Sequence, residues 1–89
     1  MNGSIQRVPD GYELGEEISR HVYEDARGRE YIVVLRWLTA VIKFAGGNER
    51  RHPKAGRIMV LDPADGVLVF HLDGTLGVVG QPVVLRKKA

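Results

Sequence analysis

The stretch Arg20-His-Val-Tyr-Glu24, Asp25-Ala-Arg-Gly-Arg29, Glu30-Tyr-Ile-Val-Val-Leu-Arg-Trp37 decides the fold class. Two runs rich in β-branched and aromatic residues flank a short polar segment that contains glycine, which is the pattern of a β-hairpin. In the second run Tyr31, Val33, Leu35 and Trp37 project to one side of a strand, and Ile32, Val34, Arg36 and Leu38 to the other. Both sides are largely apolar. Such a strand is expected at the centre of a sheet that is covered on both faces or curled into a barrel.

The residues that follow, Leu38-Thr-Ala-Val-Ile-Lys-Phe44, fit two periods. Trp37, Ala40, Val41 and Phe44 stand at helical spacing and Gly46-Gly47 would stop a helix, so a helix over residues 37–45 would make the fold α+β. The density of Val, Ile, Thr and Phe favours a strand, and the chain is read as all-β. Downstream, Arg57-Ile-Met-Val-Leu61, the turn Asp62-Pro-Ala-Asp-Gly66 and Val67-Leu-Val-Phe-His-Leu72 suggest a second hairpin. Asp73-Gly74 offers a further reversal, and Val83 to Arg86, after the interruption at Gln81-Pro82, is expected as an edge strand. Short strands joined by Gly and Pro turns predict a small antiparallel barrel or sandwich, with SH3-like or OB-like topology fitting the length. The expected organisation is a flexible leader over 1–11, a single β domain over 12–86 and a basic tail over 87–89.

Length and composition support one domain. At 89 residues the chain can bury roughly two-thirds of its unfolded surface, so its core is thin. With 44% hydrophobic and 27% charged residues it matches globular averages, which disfavours disorder. The absence of cysteine excludes disulfides, thiolate metal sites and cysteine nucleophiles. The polar start MNGSIQRVPDG is no secretory signal, and Tyr31 to Ala45 is too short and too charged to span a bilayer, so a cytoplasmic protein with no membrane partner is expected.

The net charge is only +2, but it is unevenly spread: residues 1–30 hold seven acids and four bases, residues 31–89 nine bases and four acids. The densest cluster is Gly46 to Arg57, read as a polar loop carrying Arg50, Arg51, His52, Lys54 and Arg57. Guanidinium forks suit phosphate oxygens, so this loop, helped by Lys43 and by Arg86, Lys87 and Lys88, is the candidate surface for nucleic acid or an acidic protein. Charged residues are also simply what keeps a loop solvated. Tyr23, flanked by polar neighbours, is the candidate for stacking on a base.

Catalytic chemistry finds little footing. Ser4 and Ser19 lack a nucleophile-elbow setting, Gly74 to Gly80 lacks the lysine of a phosphate loop, and glycines there suit a bulge or barrel corner. His71 and Asp73 could share one side of a strand, yet two ligands do not make a metal site. No catalytic residue, metal or cofactor is assigned. The leading expectation is therefore a non-enzymatic module for an anionic partner, nucleic acid first. The alternatives are a protein-interaction or self-assembling β module, and an oligomeric ligand-binding or enzymatic barrel in which Tyr23, His71 and Asp73 converge.

Overall fold

The computed structural model describes residues 4–64 and 66–88. Seven strands run β1 Ser4–Gln6, β2 Tyr12–Glu24, β3 Glu30–Lys43, β4 Glu49–Asp62, β5 Leu68–Phe70, β6 Leu76–Val78 and β7 Gln81–Lys87. They form one antiparallel sheet in the order β1-β5-β6-β7-β2-β3-β4, and the sheet curls into a nearly closed barrel. The fold is all-β, as the alternation in β3 implies. At the seam Gln6 closes the curl, its side-chain Oε1 accepting a hydrogen bond from the Met59 backbone N–H at 3.1 Å.

Residues 37–45 are not helical, because β3 continues unbroken to Lys43 with partners on both sides: Ala40 faces Tyr12 on β2 and His52 on β4. A segment flanked on both edges satisfies its backbone donors in ladders and gains nothing from helical ones. The β2–β3 turn is fixed by Asp25, whose Oδ1 accepts from the Arg27 and Arg29 N–H groups, with Gly28 at φ +80°.

Four expectations are corrected. The leader is not wholly loose, since Ser4–Gln6 pairs with β5. The segment 46–56 is not one loop; the turn ends at Asn48, whose carbonyl accepts from Phe44 N–H, and β4 starts at Glu49. Strands β4 and β5 do not pair as a hairpin, because β1 takes the place beside β5. Part of the turn between them, Asp65, lies outside the described residues, as do Met1–Gly3 and Ala89. Finally, Val83–Arg86 is not an edge, because β7 pairs with both β6 and β2.

The core fills the barrel end. Val33, Leu61, Leu68, Leu76, Val78 and Leu85 form the buried cluster, with Tyr23, Tyr31, Met59 and Val83 packed against it. Beyond Leu38 the three long strands leave the barrel as an arm. Its effect on shape is large: the principal extents are 53 × 25 × 20 Å and the Cα radius of gyration is 15.0 Å. A compact chain of this length would have a radius near ~12 Å.

Candidate interaction surface

The arm consists of Tyr12–Leu14 of β2, Leu38–Lys43 of β3 and Glu49–Ala55 of β4, with β3 between the other two. Its two faces differ in chemistry, because side chains alternate along each strand and cross-strand partners share a side. One face carries Glu13, Thr39, Val41, Lys43, Glu49 and Arg51. Arg51 reaches Glu13 at 3.1 Å and Glu49 at 3.2 Å, tying all three strands together. The hydrogen bonds that Arg51 donates to Glu13, and the charges of both glutamates, hold its guanidinium above its ordinary range. Its charge is already answered within the chain.

The opposite face carries Tyr12, Leu14, Ala40 and Ile42, with Phe44 at the tip. Here the side chains are not covered: Leu14 and Ile42 are each 42% exposed and Phe44 48%. Toward the barrel this face runs into a cavity of about 470 Å³, where Val34, Arg36 and Ile58 meet Arg7 and Val8 of the leader. At its rim Glu17 binds Arg20, which also reaches Asp62 at 3.1 Å. The hydrogen bond from Arg20 lowers the Glu17 carboxyl below its usual range.

Among the described residues neither edge of the arm has a neighbouring strand, and β2 at the base of the arm and β4 along it are irregular. β2 changes register twice, between Leu14 and Glu17 and between Glu17 and Ser19. β4 holds two extra residues between His52 and Gly56, where Pro53 has no N–H and Lys54 adopts φ +62°. Proline, bulges and charge are the usual means by which open edges avoid adding another strand.

The basic residues expected to act together are divided by this geometry. Lys43, Arg51 and Arg57 lie on the polar face, where Lys54 also sits with its Nζ 5.7 Å from the Trp37 ring centroid. Arg50 and His52 lie on the apolar face, opposite Ile42 and Ala40. Arg86 and Lys87 pair with Glu24 and Tyr23 at the far end of β2, and Lys88 binds Glu30. That end is twelve residues from Tyr12, about 40 Å along the strand. The tail bases therefore do not join the arm.

Tyr23 is not an open stacking platform. It pairs with Tyr31 and packs against the core cluster, because its parity along β2 turns it inward. The Asp73 carboxylate is engaged by the Thr75 N–H and hydroxyl at 2.9 and 2.6 Å. Among the described residues no three His, Asp or Glu side chains converge on a point that could hold a metal ion. No helix is long and apolar enough to cross a membrane.

Sequence reasoning missed the exposed apolar set Tyr12, Leu14, Ile42 and Phe44. The available signal was length: fourteen-residue strands are too long for a barrel of this size, so part of each must project beyond the core. Comparison with protein families, curated proteins and solved structures gives no match.

Proposed function

We propose that the protein is a non-enzymatic protein-interaction module that docks through the apolar face of its three-stranded arm. The observation that carries this reading is surface area. A compact chain of 9.9 kDa should expose about 5,200 Å². This one exposes 6205 Å², about 1,000 Å² more, and it is elongated, with principal extents of 53 × 25 × 20 Å and the apolar residues Leu14, Ile42 and Phe44 among its exposed side chains. Apolar side chains exposed on a projecting sheet cost solvation free energy in isolation, and that cost is recovered when a partner covers them.

Photo-crosslinking in the cell that makes the protein tests the reading. A benzophenone amino acid replacing Leu14 or Ile42 should give a protein adduct of discrete mass. The same group at Arg27, exposed on the turn at the other end, should give none. Absence of any adduct from both arm positions would overturn the proposal.

A second reading, an anionic partner and nucleic acid first, is favoured by the polar face. Lys43, Lys54 and Arg57 have no ion-pair partner there among the described residues, and two of them flank Trp37. Fluorescence anisotropy with duplex oligonucleotides should then show affinity falling with salt at a log–log slope of about −2.7 for three phosphate contacts. Reversing Lys54 and Arg57 to glutamate should abolish that binding. No binding at low salt would remove this reading and leave the first untouched.

A further inference from the structure

We infer that the cavity at the base of the arm is a binding site for a small monocarboxylate with a short aliphatic body, its carboxylate held by Arg36. The inference goes beyond the docking reading and does not depend on it.

The cavity exists because the leader crosses the sheet. Gln6 is fixed to Met59 on β4, and Tyr12 pairs with Ala40 from the β2 side, so residues 7–11 must pass across β3 between those two points. Arg7 and Val8 thereby enclose, with Val34, Arg36 and Ile58, a space of about 470 Å³. Sites for small molecules span about 300–1,000 Å³, so the volume suits such a ligand.

The charges around it are unequally matched. Among the described residues Arg7, Arg20 and Arg36 line the cavity with two acids, Glu17 and Asp62. Arg20 takes both acids: its Nε and Nη2 bind the two Glu17 oxygens at 3.0 and 2.7 Å, and Nη2 also reaches Asp62 at 3.1 Å. Glu17 is the cross-strand neighbour of Arg36, yet both its oxygens are engaged by Arg20. Arg36 instead donates its Nε to the Gly15 carbonyl at 2.8 Å. Its two Nη groups have no hydrogen-bond or ion-pair partner among the described residues. A guanidinium pinned at Nε presents Nη1 and Nη2 as a fixed fork, which matches the two oxygens of a carboxylate. Three bases against two acids leave one positive charge, the complement of a monoanion.

The surroundings of the fork define the rest of the ligand. Ile58 lies directly across from Arg36 and Val34 two residues before it, and they are 3% and 2% exposed. Buried aliphatic neighbours lower the local dielectric, so a charge pair formed there is stronger than on open surface. Val8 and Leu14 line the same cavity and are 40% and 42% exposed, which gives open aliphatic surface for the ligand's body. No aromatic ring among the described residues lines the cavity, so a short aliphatic chain fits it better than a planar ring that needs a stacking partner.

The test is amide NMR on the full chain titrated with hexanoate and, separately, with 1-hexanol, which has the same chain length without the charge. Hexanoate should shift the amides of Val8, Leu14 and Arg36 saturably, and 1-hexanol should bind at least about tenfold more weakly, as expected when a charge-assisted bidentate contact is lost. Arg36→Lys keeps the charge and loses the fork, and it should raise the hexanoate Kd by about tenfold. Ile42→Asp, on the arm beyond the cavity, should leave that Kd unchanged. Absence of saturable shifts, or hexanoate binding no tighter than 1-hexanol, overturns the site, and this comparison holds even where Arg36→Lys disturbs the fold. A folded Arg36→Lys that binds undiminished removes Arg36 as the anchor. Loss of binding in Ile42→Asp would place hexanoate on the arm face and overturn the cavity as its site. A crosslinked protein adduct from Ile42 with no hexanoate site would leave the docking reading standing alone, and a hexanoate site without any adduct would leave only the present one.

Discussion

Leu76→Ala should lower the unfolding free energy by about 3 kcal/mol, within the 2–5 kcal/mol range for leucine truncation in cores that cannot collapse. Leu76 has no exposed surface, and Leu68 and Leu85 around it are 1% and 0% exposed. Leu76 pairs with Phe70 on one side and Leu85 on the other, so the void opens between two strands held by their own ladders. Those strands cannot close on it without breaking register. A chain of this size holds only about 5–10 kcal/mol in all, so the variant should retain a fold but lose a large share of its margin. Urea denaturation at fixed protein concentration checks it: the midpoint should fall by about 3 M at an m-value near ~1 kcal/mol/M, with the slope unchanged. A loss under about 1 kcal/mol would mean that the short strands β5 and β6 do not close the core, against the range expected for a buried leucine.

The contrast between barrel and arm also explains how much was legible in the sequence. Around Val33 both faces of β3 are buried, so the run Tyr31 to Leu38 shows its central position directly through apolar residues at every second site on each side. The Asp25–Gly28 turn is legible for the same reason, because its chemistry is local. The basic segment after Gly47 is different. As an outer strand of a projecting arm, β4 from Glu49 to Ala55 has no buried face, so nothing imposes alternation and it reads as a solvated loop. Strand β1 is three residues long and is specified by its partner β5 and by Gln6 reaching Met59, contacts over fifty residues away that no local pattern announces.

The exposed apolar face of the arm was harder to read for a related reason. Tyr12, Leu14 and Ile42 look like core residues in sequence, and they become surface only because the barrel ends at Leu38. Where it ends depends on the shortness of β5 and β6, three residues each, which cannot extend cover past that point. The basic cluster failed as a single patch because a strand distributes successive side chains to opposite faces, whereas a loop could have gathered them. Arg50 and Arg51 are neighbours in sequence and stand on different sides of the arm.

Gly66→Ala should cost about 3 kcal/mol, from two sources that can be separated. Gly66 has φ +115°, a backbone conformation that costs an L-residue about 1–2 kcal/mol. An added Cβ would also stand 2.8 Å from Val78 Cγ1, and Val78 is 4% exposed within the core, so it cannot move aside without disturbing its packing. Gly46→Ala supplies the comparison, since Gly46 has φ +94° with open space around it, and should lose only the backbone term of about 1 kcal/mol. Pairing Gly66→Ala with Val78→Ala should give a combined loss smaller than the sum of the two, because the truncated side chain vacates the position the new methyl needs. Simple additivity would show that the contact is relieved elsewhere and that backbone strain is the whole effect. The two outcomes differ in what they say about the seam. Coupling would place Gly66 where the chain leaves β4 and turns against the core on its way to β5, a step that leaves no room for a side chain between the turn and Val78.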